Sequence, residues 1–284
     1  MPHCSLVLKG MVIRMNELEL LKETTLQSLQ TKSLGRTFLW FESLSSTNDY
    51  LKEHGRSLPH GTAVSALRQL AGRGRTGRRW EDTTQYGEAK SLALSVLLKP
   101  PTVYHTPVLP HVCGLAVKKA LEQLSGVSAG IKWPNDLVIN RSKVCGILCE
   151  SVIAGEELYV VCGMGVNLLE TKEEFTHLGL EHATSVYQES DKRLDLPETA
   201  AAILNALEGY YGRLLQGGFE ALLAEYRAAC VTVGAEVRVL RNGTEQTGTA
   251  VDIAADGTLL VNIGGKLCVI RSSEASVRGL YGYV

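Results

Sequence analysis

Twelve residues concentrate the chemistry of this chain: Gln69-Leu70-Ala71-Gly72-Arg73-Gly74-Arg75-Thr76-Gly77-Arg78-Arg79-Trp80. Three glycines alternate with four arginines, and a tryptophan closes the run. Glycine lets backbone N–H groups turn toward a ligand, because no Cβ blocks the approach. Arginine adds a permanently charged planar fork that matches the oxygens of a phosphate or a carboxylate. The pattern predicts a loop closing on a small anion such as a nucleoside phosphate. Gly72, Gly74 and Gly77 also fit the dinucleotide fingerprint G-x-G-x-x-G, with a strand over Thr62 to Leu67. That fingerprint needs a helix to start at the loop, and Arg79-Trp80-Glu81-Asp82-Thr83-Thr84 does not open one.

Three further runs carry polar groups at telling places. Ser43-Leu44-Ser45-Ser46-Thr47-Asn48-Asp49 precedes Tyr50-Leu51 and reads as a helix cap; a helix start also presents donors to an anion. Ile131-Lys132-Trp133-Pro134-Asn135-Asp136-Leu137-Val138-Ile139-Asn140 reads as a strand broken at Pro134, which cannot donate to a ladder. The break turns Asn135 and Asp136 toward one end of a sheet. After a turn at Asn140-Arg141-Ser142, the apolar strand Val144 to Cys149 opens with a single lysine, Lys143. In Leu158 to Leu168, Gly163 and Gly165 suggest a bulge or a close ligand approach. Asn167 is there either a turn residue or a reader of a base edge.

The elements that must hold these residues alternate between the two periods. Strands are predicted at Phe38 to Phe41, Gly61 to Leu67 and Ser91 to Lys99, helices at Asn16 to Lys32, Pro107 to Leu124, Thr199 to Gln216 and Phe219 to Ala229. From Val231 onward short β pieces follow, Glu236 to Leu240, Thr247 to Ile253, Leu259 to Ile263 and Leu267 to Ile270. Turns at Asn242-Gly243, Asp256-Gly257 and Gly264-Gly265 separate them, which predicts a small antiparallel barrel.

The 284 residues suffice for one sizeable α/β core and a small second domain. The formal net charge is −1, so the basic loop is a local feature, and with 6% aromatic residues a general nucleic-acid binder is disfavoured. No apolar run approaches the ~18–20 residues that cross a membrane. Lys9 and Arg14 interrupt the mildly apolar start, and no small-residue cleavage site follows, so no signal peptide is expected. Seven cysteines are scattered, and Cys145 and Cys149 are the one close pair. With no histidine nearby, they read as buried packing rather than metal ligands. Reduced thiols point to a cytoplasmic protein.

Taken together, the ordered set Ser46-Thr47-Asn48, Gln69, Gly72 to Trp80, Lys132 to Leu137, Lys143 with Gly146-Ile147-Leu148, and Gly163 to Asn167 closely resembles biotin protein ligases. The resemblance runs from about Phe38 to the C-terminus. It implies an α+β fold: a mixed β-sheet catalytic domain flanked by helices, like a class II synthetase, with an SH3-like small β-barrel at the C-terminus. The boundaries it implies are an N-terminal helical segment over 1–36, open to being flexible, a biotin- and ATP-binding domain over 37–230, and the barrel over 231–284.

The resemblance further implies a two-step reaction with ATP and Mg²⁺. Biotin would be adenylated to biotinyl-5′-AMP, then passed to one lysine of the biotin carboxyl carrier protein of a biotin-dependent carboxylase. By the same resemblance Ser46, Thr47, Asn48, Gln69, Gly72, Arg73, Lys143 and Gly146 would bind biotin. Arg73, Gly74, Arg75, Arg78, Trp80, Asn135 and Asn167 would bind ATP or the adenylate. Lys143, Arg75 and Asp136 would be catalytic, with Asp136 a candidate for Mg²⁺ or for helping deprotonate the acceptor lysine.

Departures from the family pattern are local. Thr76 stands where arginine is frequent, and Ser272-Ser273-Glu274-Ala275 replaces a usual glycine-containing turn. The helix-turn-helix of bifunctional members needs about three helices, and only one is readable before Phe38. No DNA or membrane partner is therefore expected, and a gel shift with biotin-operon promoter DNA tests the former. A homodimer stays open, since family members often pair through sheet edges. Lipoate ligases, which share the chemistry, and a non-catalytic biotin-binding protein are the alternatives; the second would be expected to lose Lys143 or the arginines first.

Overall fold

The computed structural model describes residues 17–81, 88–241, 243–272 and 276–279. Met1 to Asn16, Asp82 to Thr84 of the loop's continuation, Asn242 of a predicted turn and Ser273 to Ala275 of the last one lie outside them. Helix α1 spans 17–28. Strands β1 (Phe38–Leu44), β2 (Ala63–Gln69), β3 (Ser91–Leu98), β4 (Gly130–Lys132), β5 (Asp136–Ile139), β6 (Ser142–Ala154) and β7 (Glu157–Asn167) form one sheet, ordered β1-β2-β3-β7-β6-β5-β4. β1 and β2 run parallel and every other neighbour is antiparallel, so the sheet is mixed.

One face is covered by α3 (Leu109–Ser125), α6 (Leu196–Gly217) and α7 (Glu220–Ala229), which bury Val112, Leu115, Leu204 and Leu207 against Leu94, Val96, Cys162 and Met164. The other face carries the short helix α2 (Thr47–His54), whose Leu51 closes a smaller cluster with Val64, Leu97 and Val161. Strand alternation sends successive side chains to these two layers, and a pocket opens where α2 begins. Two short helices, α4 (Lys172–His177) and α5 (Val186–Ser190), follow β7.

The segment after α1 is tied down rather than loose. Glu208 on α6 accepts from the backbone N–H groups of Lys32, Ser33 and Leu34, and Asn205 accepts from that of Gln30. Leu29 and Leu34 are buried in the main core.

Beyond α7 a second sheet has the order β11-β10-β9-β8-β12, from β8 (Glu236–Arg241), β9 (Thr244–Ile253), β10 (Leu259–Ile263), β11 (Lys266–Ile270) and β12 (Ser276–Gly279), all antiparallel. The sequence pattern missed β12, a strand of only four residues. Val237, Val261 and Val277 join the same hydrophobic cluster as the first sheet.

Two readings need correction. Ile131 to Asn140 is not one broken strand: β4 and β5 pair back on each other, Ile131 opposite Leu137 and Lys132 opposite Asp136, around a cis Trp133–Pro134 bond. A proline that cannot donate can end a strand by reversing it as well as by interrupting it. Nor do Gly163 and Gly165 make a bulge, since β7 keeps continuous register with β3 and β6 across both.

Candidate functional site

A pocket of about 690 Å³ opens between the N-terminus of α2, the arginine loop, the β4–β5 turn and the second sheet. That volume suits a nucleotide or vitamin-sized ligand. Its floor is a buried polar cluster. Ser46 caps α2, its hydroxyl accepting from the Asp49 N–H. The Gln69 side-chain oxygen accepts from Thr47 N at 2.9 Å and Thr47 Oγ1 at 3.2 Å. Ser95 Oγ lies 2.7 Å from both Thr47 Oγ1 and Asn48 Oδ1; with one proton it donates to one of them. Asn48 spends its Nδ2 on the Leu148 carbonyl and the Glu150 carboxylate. Asn48 thus ties α2 to β6 through Nδ2 and to β3 through Oδ1, a structural duty beside the biotin contact expected of it.

The two glycines of β7 explain themselves here. A Cβ on Gly163 would stand 2.2 Å from Asn48 Oδ1, and one on Gly165 would stand 2.6 Å from Trp80 Cε2. Gly146 faces the same indole at 3.0 Å. Trp80 therefore rests on a bare patch of sheet, and β7 approaches side chains rather than bulging. Its N–H donates to the Gly72 carbonyl, closing Gly72 to Trp80 into a small loop in which Thr76 (φ 54°) and Gly77 (φ 75°) are left-handed. Gly74 donates to the Arg78 carbonyl within it.

Among the described residues, eight lysines and arginines line the pocket against one carboxylate, Asp136. Arg75 donates to Asn135 Oδ1 at 2.8 Å and to the Ser272 carbonyl, joining the loop to the second sheet. Asn135 in turn holds the Ile147 carbonyl, pinning the β4–β5 turn on β6. Lys143 Nζ lies 2.8 Å from Asp136 Oδ1 and over the Trp80 ring. Burial lowers the Lys132 pKa to about 8, with Asp136 opposing the fall and the Lys143 charge adding to it. Arg73 is turned to acids, forming ion pairs with Glu150 and Asp49, while Lys52 bridges the same two carboxylates.

Two predicted roles are not met by this geometry. Asn167 is buried and donates to the Thr184 carbonyl; it does not line the pocket. Asp136 is the counter-ion of Lys143, amid Arg75, Arg78 and Lys132, and no second carboxylate joins it among the described lining residues. One paired carboxylate is a poor cage for Mg²⁺, which such sites hold mostly through phosphate oxygens and water. Lys132, quoted in the motif without a role, belongs to the pocket, as do His182, Arg238 and Arg278, which sequence reading passed over. Arg238 and Arg278 face each other across β8 and β12, and Arg238 Nε is buried without a partner. Like charges directly opposite each other are unfavourable, so the pair suits an anion. Nothing in the spacing of β8 and β12 points at a loop more than 150 positions earlier.

Residues 40–167 match the Biotin/lipoate A/B protein ligase family. The chain is 32% identical over 220 residues to the biotin–[acetyl-CoA-carboxylase] ligase of Mycobacterium tuberculosis, covering 75% of this chain and 78% of that protein. It is 30% identical over 250 residues to the bifunctional ligase/repressor BirA of Bacillus subtilis, covering 87% and 75%. The chain belongs to the biotin protein ligase family. The ligase also superposes on the biotin protein ligase from Aquifex aeolicus in complex with biotin and ATP, with a TM-score of 0.74 and 29% identity over 86% of this chain and 99% of that one. The ligase's arginine loop, its Lys132 to Leu137 turn and Lys143 all fall within the matched family region. The two arginines of the second sheet lie beyond it.

Proposed function

We propose that this pocket adenylates biotin and that its cations divide the work by position. The chain is an ATP-dependent biotin protein ligase that forms biotinyl-5′-AMP and then transfers the biotinyl group. A carboxylate oxygen of biotin attacks the α-phosphorus of ATP, and the bond to the β-phosphate breaks to release pyrophosphate. An acceptor amine next attacks the acyl carbon, and AMP leaves. Two anions must meet in the first step, so the excess of cations lining the pocket is the observation that carries the reading.

In this division Ser46, Thr47 and Gln69 meet the ureido ring, with the Gly72 and Gly146 backbones beside it. Lys143, steered by Asp136, neutralises the junction of carboxylate and α-phosphate. Arg75 and Arg78, with Gly74 just ahead of them in the loop, take the phosphates together with Arg238 and Arg278. Arg73 reaches the biotin carboxylate by exchanging its Glu150 and Asp49 partners for it. Trp80 and Asn135 order the loop, and Asp136 is also placed to take a proton from the acceptor lysine. The acceptor is the carrier domain of a biotin-dependent carboxylase, which places the enzyme with that substrate in the cytoplasm. Residues 37–230 form the catalytic unit and 231–284 the small barrel that completes the phosphate side.

The loop has a protective duty as well. Biotinyl-5′-AMP is a mixed anhydride that water hydrolyses, and a glycine-rich lid excludes water. A biotin-dependent ATP–pyrophosphate exchange assay, with lipoate in parallel, tests the reading. Exchange with biotin alone is the expected result. Exchange with lipoate alone would move the chain to the sister activity, and binding of biotin without exchange would make it a binding protein.

A further inference from the structure

On the face of the main sheet away from the pocket, three thiols converge that lie far apart in sequence. Cys149 on β6 and Cys162 on β7 are directly opposed partners, and Cys113 descends from α3 above them. Their neighbours Leu148 and Gly163 line the pocket, so alternation places both strand cysteines on the helix-covered side. The three sulfurs all lie within 4.8 Å of one another. Cys145, the partner that spacing suggested for Cys149, is not part of the group.

We propose that Cys113, Cys149 and Cys162 form a binding site for one thiophilic metal ion of the Zn²⁺ class. A zinc–sulfur bond of about 2.3 Å in tetrahedral geometry sets sulfurs about 3.8 Å apart. The cluster needs to close by no more than about 1 Å to reach that spacing. The donor set is soft, as such ions prefer. Packing alone explains a buried cysteine as a small hydrophobe, but it gives no reason for three from three separate elements to meet sulfur to sulfur.

The surroundings supply a further observation. Tyr211 of α6 is 4% exposed, and its hydroxyl is buried with no hydrogen-bond partner. Burial pushes its pKa up to about 12, and Cys162 adds to the rise, which puts the hydroxyl within electrostatic reach of the sulfurs. A buried, unpartnered hydroxyl on a helix of the same layer is available as a polar neighbour. Cys113 and Cys162 are buried and Cys149 is half-buried. Binding releases the three thiol protons to solvent, so affinity rises with pH.

The test is titration of the reduced, full-length protein with Cd²⁺ as a spectroscopic probe and then with Zn²⁺ as competitor. One Cd²⁺ per chain should bind, with an ultraviolet thiolate-to-metal band that Zn²⁺ abolishes, and with a rise in melting temperature. Cys162→Ala and Cys113→Ala should lose the band, whereas Cys268→Ala should keep it. X-ray absorption of the Zn²⁺-loaded wild type should count three sulfur neighbours, a readout that stands if a variant fails to fold. Equal binding by wild type and Cys162→Ala would overturn the proposal, as would no binding by the wild type. So would a Cys149–Cys162 disulfide in protein isolated from a reducing cytosol. Biotin-dependent exchange is scored separately, so failure of the ligase reading and failure of this site are told apart.

Discussion

Gly165 lies beneath Trp80 so closely that a single methyl group on it would stand 2.6 Å from the indole Cε2. The tryptophan seals the arginine loop, and the absence of a side chain lets it sit flat on the sheet. Gly165→Ala should therefore displace Trp80 rather than unfold β7, whose backbone needs no positive φ there. We expect a changed tryptophan emission, native circular dichroism and a loss in exchange rate on the order of 10²-fold. Gly209→Ala, where a Cβ meets nothing within 4 Å, serves as control.

Lys143→Ala and Arg75→Ala should each lose adenylation while remaining folded, by about 10²–10³-fold, the usual loss when a charge-stabilising donor is removed. Pyrophosphate release at the wild-type rate by either variant would remove that residue from the chemistry. Neither substitution leaves a buried apolar cavity, because both side chains reach the pocket.

Arg278→Ala should raise the KM for ATP by about 10-fold and leave biotin affinity unchanged, since the role proposed for it is confined to phosphate. Arg238→Ala should do the same, and should relieve the repulsion across β8 and β12 while giving up the exposed ion pair with Glu245. A gain of a few tenths of a kcal/mol in stability is the expected size of that relief. Calorimetric titration with biotin alone, beside kinetics with ATP, separates the two effects.

Lys132, with its pKa lowered to about 8, should give kcat/KM for ATP an alkaline limb near that pH. The sign is opposite to that of stability. The folded state holds fewer protons than the unfolded one between about 8 and the ordinary 10.5, so this group adds stability as pH rises through that window. A fall in activity there is thus not unfolding. Lys132→Arg keeps the charge and should move the limb upward.

His111 joins the two sheets: its Nε2 and the Trp133 Nε1 both reach the Gly257 carbonyl at 3.0 Å. Burial lowers its pKa to about 4, with the Gly257 hydrogen bond opposing the fall. The unfolded chain takes up a proton near 6.5 that the folded one refuses. Its stability contribution is complete above 6.5 and is lost as pH falls toward 4, by at most about 3 kcal/mol. His111→Phe should flatten the pH dependence of the urea midpoint over that range, at a cost of about 1 kcal/mol near neutrality from the lost hydrogen bond.

The elements were legible because their signals are local: Leu109 to Ser125 carries its burial in its helical spacing, and Ser91 to Leu98 is a short apolar run buried on both faces. The arginine loop was legible for a similar reason, since residue type at close spacing declares the anion. What stayed hidden depends on contacts between distant segments. No spacing tells that Gly163 makes room for Asn48, that Asp136 answers Lys143, or that Arg238 and Arg278 come round to the phosphate side. Asn167 shows the converse. Its residue type allowed a reader of bases, and the fold gave its amide to the Thr184 carbonyl. The sequence by itself determined the α+β elements, the anion-binding loop and the resemblance that led to the ligase family. The tertiary structure alone decided which charges face each other and which cysteines meet, because a side chain's partner is chosen by sheet register and helix packing rather than by its neighbours in the chain.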